Sequence, residues 1–280
     1  MNEQEVIRAG LLGWPVAHSV SPAMHNAAFR ALGLPWHYDL LPVPPDELAA
    51  AVAGLEGRGF CGANVTVPHK EAALGLVDEA DAGARAIGAV NTLVRRGDGW
   101  LGTNTDAAGF VAALRDGGFE PAGRQALVLG AGGAARAVVH ALAGAGCAVI
   151  VHNRTAERAA RLCADLGAAA EVPLAVAQSL TGLDPDAVDL LVNATPLGQW
   201  PAAGGSPWPQ SLPLPAHWTV FDLVYNPLET RLLARARAAG AIAVDGLEML
   251  VHQGALSFTL WTGRAAPLDV MRAAARQAVA

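Results

Sequence analysis

The chain has 280 residues, of which 52% are hydrophobic and 16% are charged, a balance typical of a soluble globular protein. The length allows two domains, because a single hydrophobic core stops growing at about 250 to 300 residues. The formal net charge of −6 argues against nucleic acid or an anionic membrane as the main partner, although a small anionic ligand needs only a local basic site.

The cysteines and the N-terminal segment predict a cytoplasmic protein. Cys61, Cys147 and Cys163 are odd in number, far apart and in apolar contexts, which is typical of reduced core residues. The chain starts acidic and polar, unlike a secretion signal, and no uninterrupted apolar run reaches about 18 residues. We expect a monomer or homodimer without a membrane span, and no spacing of His, Cys and acidic residues suggests a metal site.

Apolar and helical patterns alternate along the chain and predict an α/β fold with two domains. In the first hundred residues they predict strands at 9–13, 36–41 and 62–67, helices at 22–32, 45–55 and 68–77, and a hairpin of 89–95 with 99–104. After a helix at 107–118, strands at 125–129, 147–152, 189–193, 219–223 and 242–245 alternate with helices, as in a parallel doubly wound sheet. Residues 199–215 predict a loop, and helices at 247–261 and 267–279 are expected to pack back on the first domain.

A glycine-rich turn, GAGGAA at 130–135, follows the first strand of the doubly wound sheet. Gly130 permits the tight turn, Gly132 lets the backbone approach a pyrophosphate, and Ala135 lets helix and strand pack closely. The N-terminus of the helix then faces the anion. The turn predicts a dinucleotide site, and the alternative is a tight connection between strand and helix without a ligand.

The end of the next strand indicates which dinucleotide is bound. An acidic residue about twenty residues after the turn binds the ribose 2′-hydroxyl of NAD, whereas an Arg accommodates the 2′-phosphate of NADP. This chain has Arg154, and Arg158 can reach the same phosphate if Thr155 starts a helix. NADP is therefore predicted, with two solvated arginines as the alternative.

Two motifs supply candidates for the proton donor that hydride transfer to a carbonyl requires. Lys70 ends GANVTVPHK, where a strand turns into a helix, and its alternative role is a solvated lysine. Asp106 follows Asn104 and Thr105 at the junction of the two domains, where a carboxylate faces the cleft expected for substrate. Asp106 can also be the N-cap of the helix that follows.

Ser19 and Ser21 precede a helix that starts at Pro22. Residues two apart in an extended backbone point to the same side, so both hydroxyls can be directed at one carboxylate near the helix N-terminus. Ser21 is equally suited to be the N-cap of that helix.

Nine motifs along nearly the whole chain resemble those of the shikimate dehydrogenase family, in the family's order. They are GWPVAHSVSPAMHN, GANVTVPHK, AIGAVNTL, GTNTD, GAGGAARA, NRT, NATPLG, DLVYNPLETRLL and MLVHQG. The resemblance implies reversible, NADP-dependent reduction of 3-dehydroshikimate to shikimate in aromatic amino acid (chorismate) biosynthesis. It implies a substrate domain of residues 1–106, completed by 246–280, and a Rossmann-type NADP-binding domain of residues 107–245.

The resemblance also assigns roles to individual residues. Lys70 and Asp106 match the catalytic pair, and the sequence leaves open which of the two transfers the proton, because a coupled pair titrates as a unit. The residues that match the substrate site are Ser19, Ser21, Asn64, Thr66, Asn91, Tyr225 and Gln253. The residues that match the cofactor site are Gly130, Ala131, Gly132, Gly133, Ala134, Asn153, Arg154, Thr155, Arg158, Ala194, Thr195, Pro196, Leu223, Gly246 and Met249. Val20 and Gln199 differ from residues frequent in the family, but neither change removes a catalytic group.

Two alternatives to this function stay open. A quinate or aminoshikimate dehydrogenase would share the fold and the Lys/Asp pair, but quinate-using relatives tend to favour NAD and often change one of the paired serines. A non-catalytic NADP-sensing protein could keep the fold, but the presence of both Lys70 and Asp106 argues against it.

Overall fold

The structure is a computed structural model that describes residues 6–279, and its chain divides into two units. The first unit comprises the chain up to Gly109 and from Leu250 onward, and the second comprises Phe110–Met249. The sequence predicted nearby limits, at 106 and 246. Within the described part of the chain, no helix combines the length and apolar character needed to cross a bilayer.

The first unit is built on a six-stranded mixed sheet. Its strands are β1 (Ile7–Gly13), β2 (Trp36–Pro42), β3 (Phe60–Val65), β4 (Glu79–Ala80), β5 (Thr92–Arg96) and β6 (Gly99–Thr103). They lie in the order β2-β1-β3-β5-β6-β4. β1 is parallel to β2 and β3, whereas β5 is antiparallel to β3 and pairs with β6 in the predicted hairpin.

The second unit is built on a six-stranded sheet that is parallel throughout, as the sequence predicted, but it has one strand more than the five predicted, Leu174–Val176. Its strands are β7 (Gln125–Leu129), β8 (Ala148–His152), β9 (Leu174–Val176), β10 (Leu190–Asn193), β11 (Thr219–Asp222) and β12 (Ile242–Val244), in the order β12-β11-β10-β7-β8-β9. Ala126 and Val128 of β7 pack in one hydrophobic core, while Leu127 and Leu129 pack in another. The sheet is therefore buried on both faces, which explains the continuous apolar runs of its central strands.

Helices connect and cover the strands. They are α1 (Ser21–Ala31), α2 (Leu48–Ala53), α3 (Lys70–Ala73), α4 (Ala82–Ile87), α5 (Asp106–Asp116), α6 (Gly133–Gly144), α7 (Ala156–Gly167), α8 (Arg231–Ala238), α9 (Leu247–Thr262) and α10 (Leu268–Val279). α10 packs against α1, so the C-terminal segment returns to the first unit as expected.

Two predicted helices are shorter than the sequence indicated. In the segment predicted as 45–55, Pro45–Glu47 forms a tight 3-10 turn before α2, and Gly54 ends the helix. The segment predicted as 68–77 contains only α3, which ends before Gly75, a residue with low helix propensity.

Candidate functional site

The substrate-site residues predicted in the first unit lie next to strand ends that meet at one edge of the sheet. Leu12 of β1 pairs with Val65 of β3, and Thr92 of β5 pairs with both Asn64 and Thr103. The carboxyl ends of β1, β3 and β6 therefore lie beside the start of β5. The predicted residues at or just beyond these ends are Ser19, Ser21, Asn64, Thr66, Asn91 and Asp106.

Lys70 and Asp106 form an ion pair at this edge. Lys70 Nζ lies 2.5 Å from Asp106 Oδ2, and the two side chains are only 13% and 5% exposed. The other carboxylate oxygen, Oδ1, accepts a hydrogen bond from Asn91 Nδ2 at 2.8 Å. Because both charges are largely shielded from water, the amine and the carboxylate interact more strongly than an exposed pair would.

The capping alternatives for Asp106 and Ser21 are wrong. α5 begins at Asp106, and the side chain of Asn104 accepts the hydrogen bond from Asp106 N at 3.0 Å. α1 begins at Ser21 itself, its N-cap residue is Val20, and Ser21 N donates to Ser19 Oγ at 3.3 Å. Ser19 Oγ also lies 3.1 Å from Ser21 Oγ, so the two hydroxyls point to the same side as predicted.

Asn91 connects the ion pair to Gln253 of α9. Besides Asp106, the Asn91 amide nitrogen reaches Thr105 Oγ1 at 2.9 Å and Gln253 Oε1 at 3.3 Å. Its amide oxygen accepts from Thr105 N at 2.7 Å. α9 can come this close to α5 because Gly109 has no side chain: a Cβ there would lie 2.7 Å from Gln253 N. Asn91 is 2% exposed, so its orientation is set by these protein partners.

Asn64 is held by partners that the sequence analysis did not identify. Tyr38 Oη donates to Asn64 Oδ1 at 2.8 Å, and Asn64 Nδ2 lies 2.9 Å from Ser257 Oγ and 3.1 Å from Thr92 Oγ1. An amide oxygen accepts two hydrogen bonds, and Tyr38 supplies one of them. Asn64 therefore offers a ligand an acceptor rather than a donor. The sequence offered a signal for Ser257, a polar residue among the apolar residues of α9, but none for Tyr38, which lies between His37 and Asp39.

His25 packs behind Tyr38 as a buried neutral ring. The two rings stack with centroids 4.4 Å apart, and His25 is 0% exposed. Among the described residues, neither ring nitrogen of His25 has a hydrogen-bond partner. Burial lowers the pKa of His25 to about 3, because no neighbouring acceptor compensates the loss of hydration of the charged ring.

We expect acid to destabilise the protein through His25. In the unfolded chain this ring titrates near its ordinary pKa of about 6.5, so on acidification the unfolded state binds a proton that the folded state binds only near pH 3. His25 should therefore lower the free energy of unfolding by about 2.5 kcal/mol between pH 7 and pH 4.5. His25→Phe keeps an aromatic ring and should lose this part of the pH dependence in urea unfolding. The same pH slope in both proteins would contradict the expectation.

The cofactor-site residues predicted in the second unit follow the carboxyl ends of its parallel strands. β7, β8, β10, β11 and β12 all end at this edge, where open parallel sheets bind their ligands. The predicted cofactor residues beyond these ends are Gly130, Ala131, Gly132, Gly133, Ala134, Asn153, Arg154, Thr155, Arg158, Ala194, Thr195, Pro196, Leu223 and Gly246. Tyr225, predicted for the substrate site, also follows one of these strands, β11. Met249 lies further along, in the first turn of α9, and is buried in a hydrophobic core of this unit.

The glycine turn after β7 has the geometry that a pyrophosphate requires. Gly130 has φ +116°, which disfavours other residues, and a Cβ there would lie 3.0 Å from the carbonyl oxygen of Ala194. Gly132 is the N-cap of α6, and the space where its Cβ would stand is open. The first turn of α6 contains no acidic side chain. Its N-terminal N–H groups are thus suited to an anion.

The segment after β8 places two arginines beside the glycine turn. Gly130 N donates to His152 O at 2.9 Å, which joins the turn to the end of β8. Asn153 Nδ2 donates to Thr155 O at 2.8 Å, and Thr155 is the N-cap of α7, as predicted. Arg154 and Arg158 are both exposed on this helix start. The residues present therefore fit a dinucleotide with a 2′-phosphate.

Gly246 lets two backbone segments of this edge approach each other. A Cβ at Gly246 would lie 2.2 Å from Leu223 O, which leaves no room for a side chain. Gly246 N donates to Val224 O at 3.3 Å. Tyr225, which follows Val224 in the chain, is half-buried.

Three family descriptions match the chain in succession. "Shikimate dehydrogenase substrate binding domain" matches residues 11–93, "Shikimate / quinate 5-dehydrogenase" residues 114–196, and "Shikimate 5'-dehydrogenase C-terminal domain" residues 246–276. A relative from Moorella thermoacetica, named shikimate dehydrogenase (NADP(+)), is 51% identical over 273 residues, which cover 96% of this chain and 92% of the relative.

Solved structures show the same similarity. Shikimate 5-dehydrogenase from Thermus thermophilus, in complex with NADP(H) and shikimate, has a TM-score of 0.85 at 43% identity and covers 98% of this chain and 100% of its own. Quinate dehydrogenase from Corynebacterium glutamicum, in complex with NAD, also has a TM-score of 0.85, at 34% identity, with 96% of this chain and 98% of its own covered. The backbone alone does not separate these two activities.

Proposed function

The chain belongs to the shikimate dehydrogenase family, and we propose on that basis that it catalyses the reversible, NADP-dependent reduction of 3-dehydroshikimate to shikimate. It is an oxidoreductase of aromatic amino acid biosynthesis. The Lys70–Asp106 pair carries the proposal, because it places a proton donor and a charge-balancing carboxylate 2.5 Å apart at an edge rich in hydroxyl and amide groups.

The substrate is a polyhydroxylated carboxylate, and the first unit offers complementary groups. The hydroxyls of Ser19 and Ser21, 3.1 Å apart, suit the carboxylate. Asn91 and Gln253 supply amides, Thr66 a hydroxyl, and Asn64 its amide oxygen for the ring hydroxyls. The family resemblance matches Tyr225 to a residue near the substrate carboxylate. Such a set discriminates against analogues that lack a hydroxyl, because a buried polar group would lose its partner.

Each group has a distinct part in the reaction. When bound, the cofactor supplies the hydride that reduces the C3 carbonyl carbon. Lys70 Nζ donates a hydrogen bond and then a proton to the C3 oxygen as negative charge develops there. Asp106 orients the amine and balances its charge, while Asn91 fixes the carboxylate through Oδ1.

NADP is the cofactor, and we propose that residues of the second unit hold it. We assign the pyrophosphate to Gly130–Ala134 and the adenosine 2′-phosphate to Asn153, Arg154, Thr155 and Arg158. Ala194, Thr195, Pro196, Leu223, Gly246 and Met249 are assigned to the nicotinamide half of the cofactor. The open space at Gly132 and the exposed arginines support this division.

Oxidation of shikimate and of quinate, each with NADP and with NAD, tests the function directly. We expect the highest kcat/KM for shikimate with NADP, because both paired serines and Arg154 are present. A preference for quinate with NAD would favour the quinate dehydrogenase alternative. Cofactor binding without turnover of either substrate would favour a sensing protein.

We further propose a cytoplasmic protein that works as a monomer or homodimer on small-molecule ligands alone. The thiols support the location, because all three cysteines are free. Cys147 and Cys163 are buried as expected, and burial raises the pKa of the Cys147 thiol to about 12, which favours its protonated form. Cys61, also expected in the core, is exposed instead. Sedimentation velocity decides between the two assembly states.

A further inference from the structure

Asp222, the last residue of β11, is a fully buried carboxylate for which the reaction has no direct use. Its Oδ1 accepts hydrogen bonds from Asn193 Nδ2 at 2.7 Å and from Val224 N at 3.1 Å. Its Oδ2 accepts from Thr230 Oγ1 at 2.7 Å. Burial raises the pKa of the Asp222 carboxyl to about 6, against these three hydrogen bonds and with a smaller contribution from Asp245. Burying a carboxylate is energetically unfavourable, and this one connects the ends of β10 and β11 with the start of α8 through its hydrogen bonds.

Asn193 carries the effect of Asp222 to the segment 194–197. Because an ionised carboxylate only accepts, it holds the Asn193 NH2 group towards itself and turns the amide oxygen away. That oxygen accepts from Thr195 N at 2.9 Å and from Thr195 Oγ1 at 2.7 Å. Asn193 Nδ2 also donates to Leu197 O at 3.2 Å. A flipped amide would place its oxygen against Asp222 Oδ1 and Leu197 O and its NH2 group against the donor Thr195 N, so the carboxylate is one of three groups that together set a single orientation.

The ordered segment lies against the glycine turn. Thr195 Oγ1 accepts from Leu197 N at 3.2 Å, and the carbonyl of Ala194 is the group that a Cβ at Gly130 would approach to 3.0 Å. A shift of the Asn193 amide would therefore move the backbone next to the turn assigned to the pyrophosphate.

The Thr230 contact serves a different purpose. Thr230 is the N-cap of α8, and its Oγ1 accepts from Leu233 N at 3.2 Å while donating to Asp222. The hydrogen bond between Thr230 and Asp222 stabilises the start of α8 and does not involve the segment 194–197. It therefore provides a matched control within the same network.

We propose that Asp222 is a positioning residue for the cofactor: it orients the amide of Asn193 and thereby fixes the segment Ala194–Leu197 in its binding conformation. The proposal rests on the function proposed above, in which this segment binds NADP. Asp222 acts through Asn193 and requires no contact with the cofactor itself.

Dissociation constants for NADPH and for shikimate, measured on the full chain, test the proposal. Asp222→Ala should raise the Kd for NADPH about tenfold or more and leave the Kd for shikimate unchanged. Asp222→Asn keeps an oxygen for Asn193 and Val224 and should stay within about threefold of the wild type. Thr230→Val should lower the free energy of unfolding without changing the Kd for NADPH.

Asn193→Ala is a second test of the proposal. It removes the side chain through which Asp222 acts on the segment 194–197 and keeps the contacts of Asp222 with Thr230 and Val224. It should reproduce the rise in the Kd for NADPH, and it decides the matter if Asp222→Ala does not fold. An unchanged Kd in folded Asp222→Ala and Asn193→Ala, or an equal rise in Thr230→Val, would overturn the proposal. Failure of the wild type to bind NADPH would instead overturn the proposed function.

Discussion

Replacing Lys70 with Ala should lower kcat for shikimate oxidation by at least about 10²-fold while the Kd for shikimate changes little. In the proposed mechanism the amine gives a proton to the C3 oxygen and stabilises the charge that develops there. The variant also leaves Asp106 without its cation in a site where the carboxylate is 5% exposed. Steady-state kinetics and calorimetric binding of shikimate separate the loss of rate from the loss of affinity.

Two further variants distinguish proton transfer from charge alone. Lys70→Arg keeps the positive charge but replaces the amine with a guanidinium that does not deprotonate, so the rate should stay low. Asp106→Asn keeps a hydrogen-bonding side chain beside Lys70 and removes the charge, so kcat should fall with the fold intact. Wild-type kcat in Lys70→Ala would remove Lys70 from the mechanism.

The composition of the chain allows Lys70 to be examined without mutation. Lys70 is the only lysine, so Arg accounts for all the others among the 19 Lys and Arg residues. An amine-selective reagent can therefore modify only this side chain and the N-terminal amine. We expect modification to inactivate the enzyme and shikimate to protect it. Every other basic position of the Lys and Arg set is Arg, so the choice of Lys at position 70 itself indicates a role that a guanidinium cannot fill.

The placement of the site along two sheet edges could be predicted from sequence, because it depends on local patterns. Polar residues directly after apolar runs, as in Thr66 after β3 or Asn153 and Arg154 after β8, fall at strand ends whatever the rest of the fold does. The spacing of glycines after β7 likewise fixes the turn by steric limits on single residues.

The partners within the site could not be predicted, because they join distant parts of the chain. Gln253 meets Asn91 across 162 positions, and Ser257 meets Asn64 across 193. Capping was ambiguous for a different reason: Asn104 and Asp106 have similar N-cap preferences. In the structure Asn104 Oδ1 accepts from Asp106 N, while the Asp106 carboxylate is paired with Lys70.

The double variant Arg154→Ala with Arg158→Ala should raise the Kd for NADPH by about 10²-fold and change the Kd for NADH by less than about threefold. NADPH differs from NADH by the 2′-phosphate, and the two guanidinium groups at the start of α7 are assigned to that group. Both side chains are exposed, so their removal should leave the free energy of unfolding nearly unchanged.

Arg161→Ala is the matched control, because Arg161 is an arginine of the same helix with an 84% exposed side chain, 4.0 Å from Asp165. It changes the net charge by one unit without approaching the end of β8, so both dissociation constants should stay at the wild-type value. Titrations at one ionic strength are needed, since screening by salt weakens any phosphate contact. Equal losses for NADPH and NADH in the double variant would show that the two arginines do not bind the 2′-phosphate, and selectivity for NADP would then have to come from the remaining groups after β8, Asn153 and Thr155.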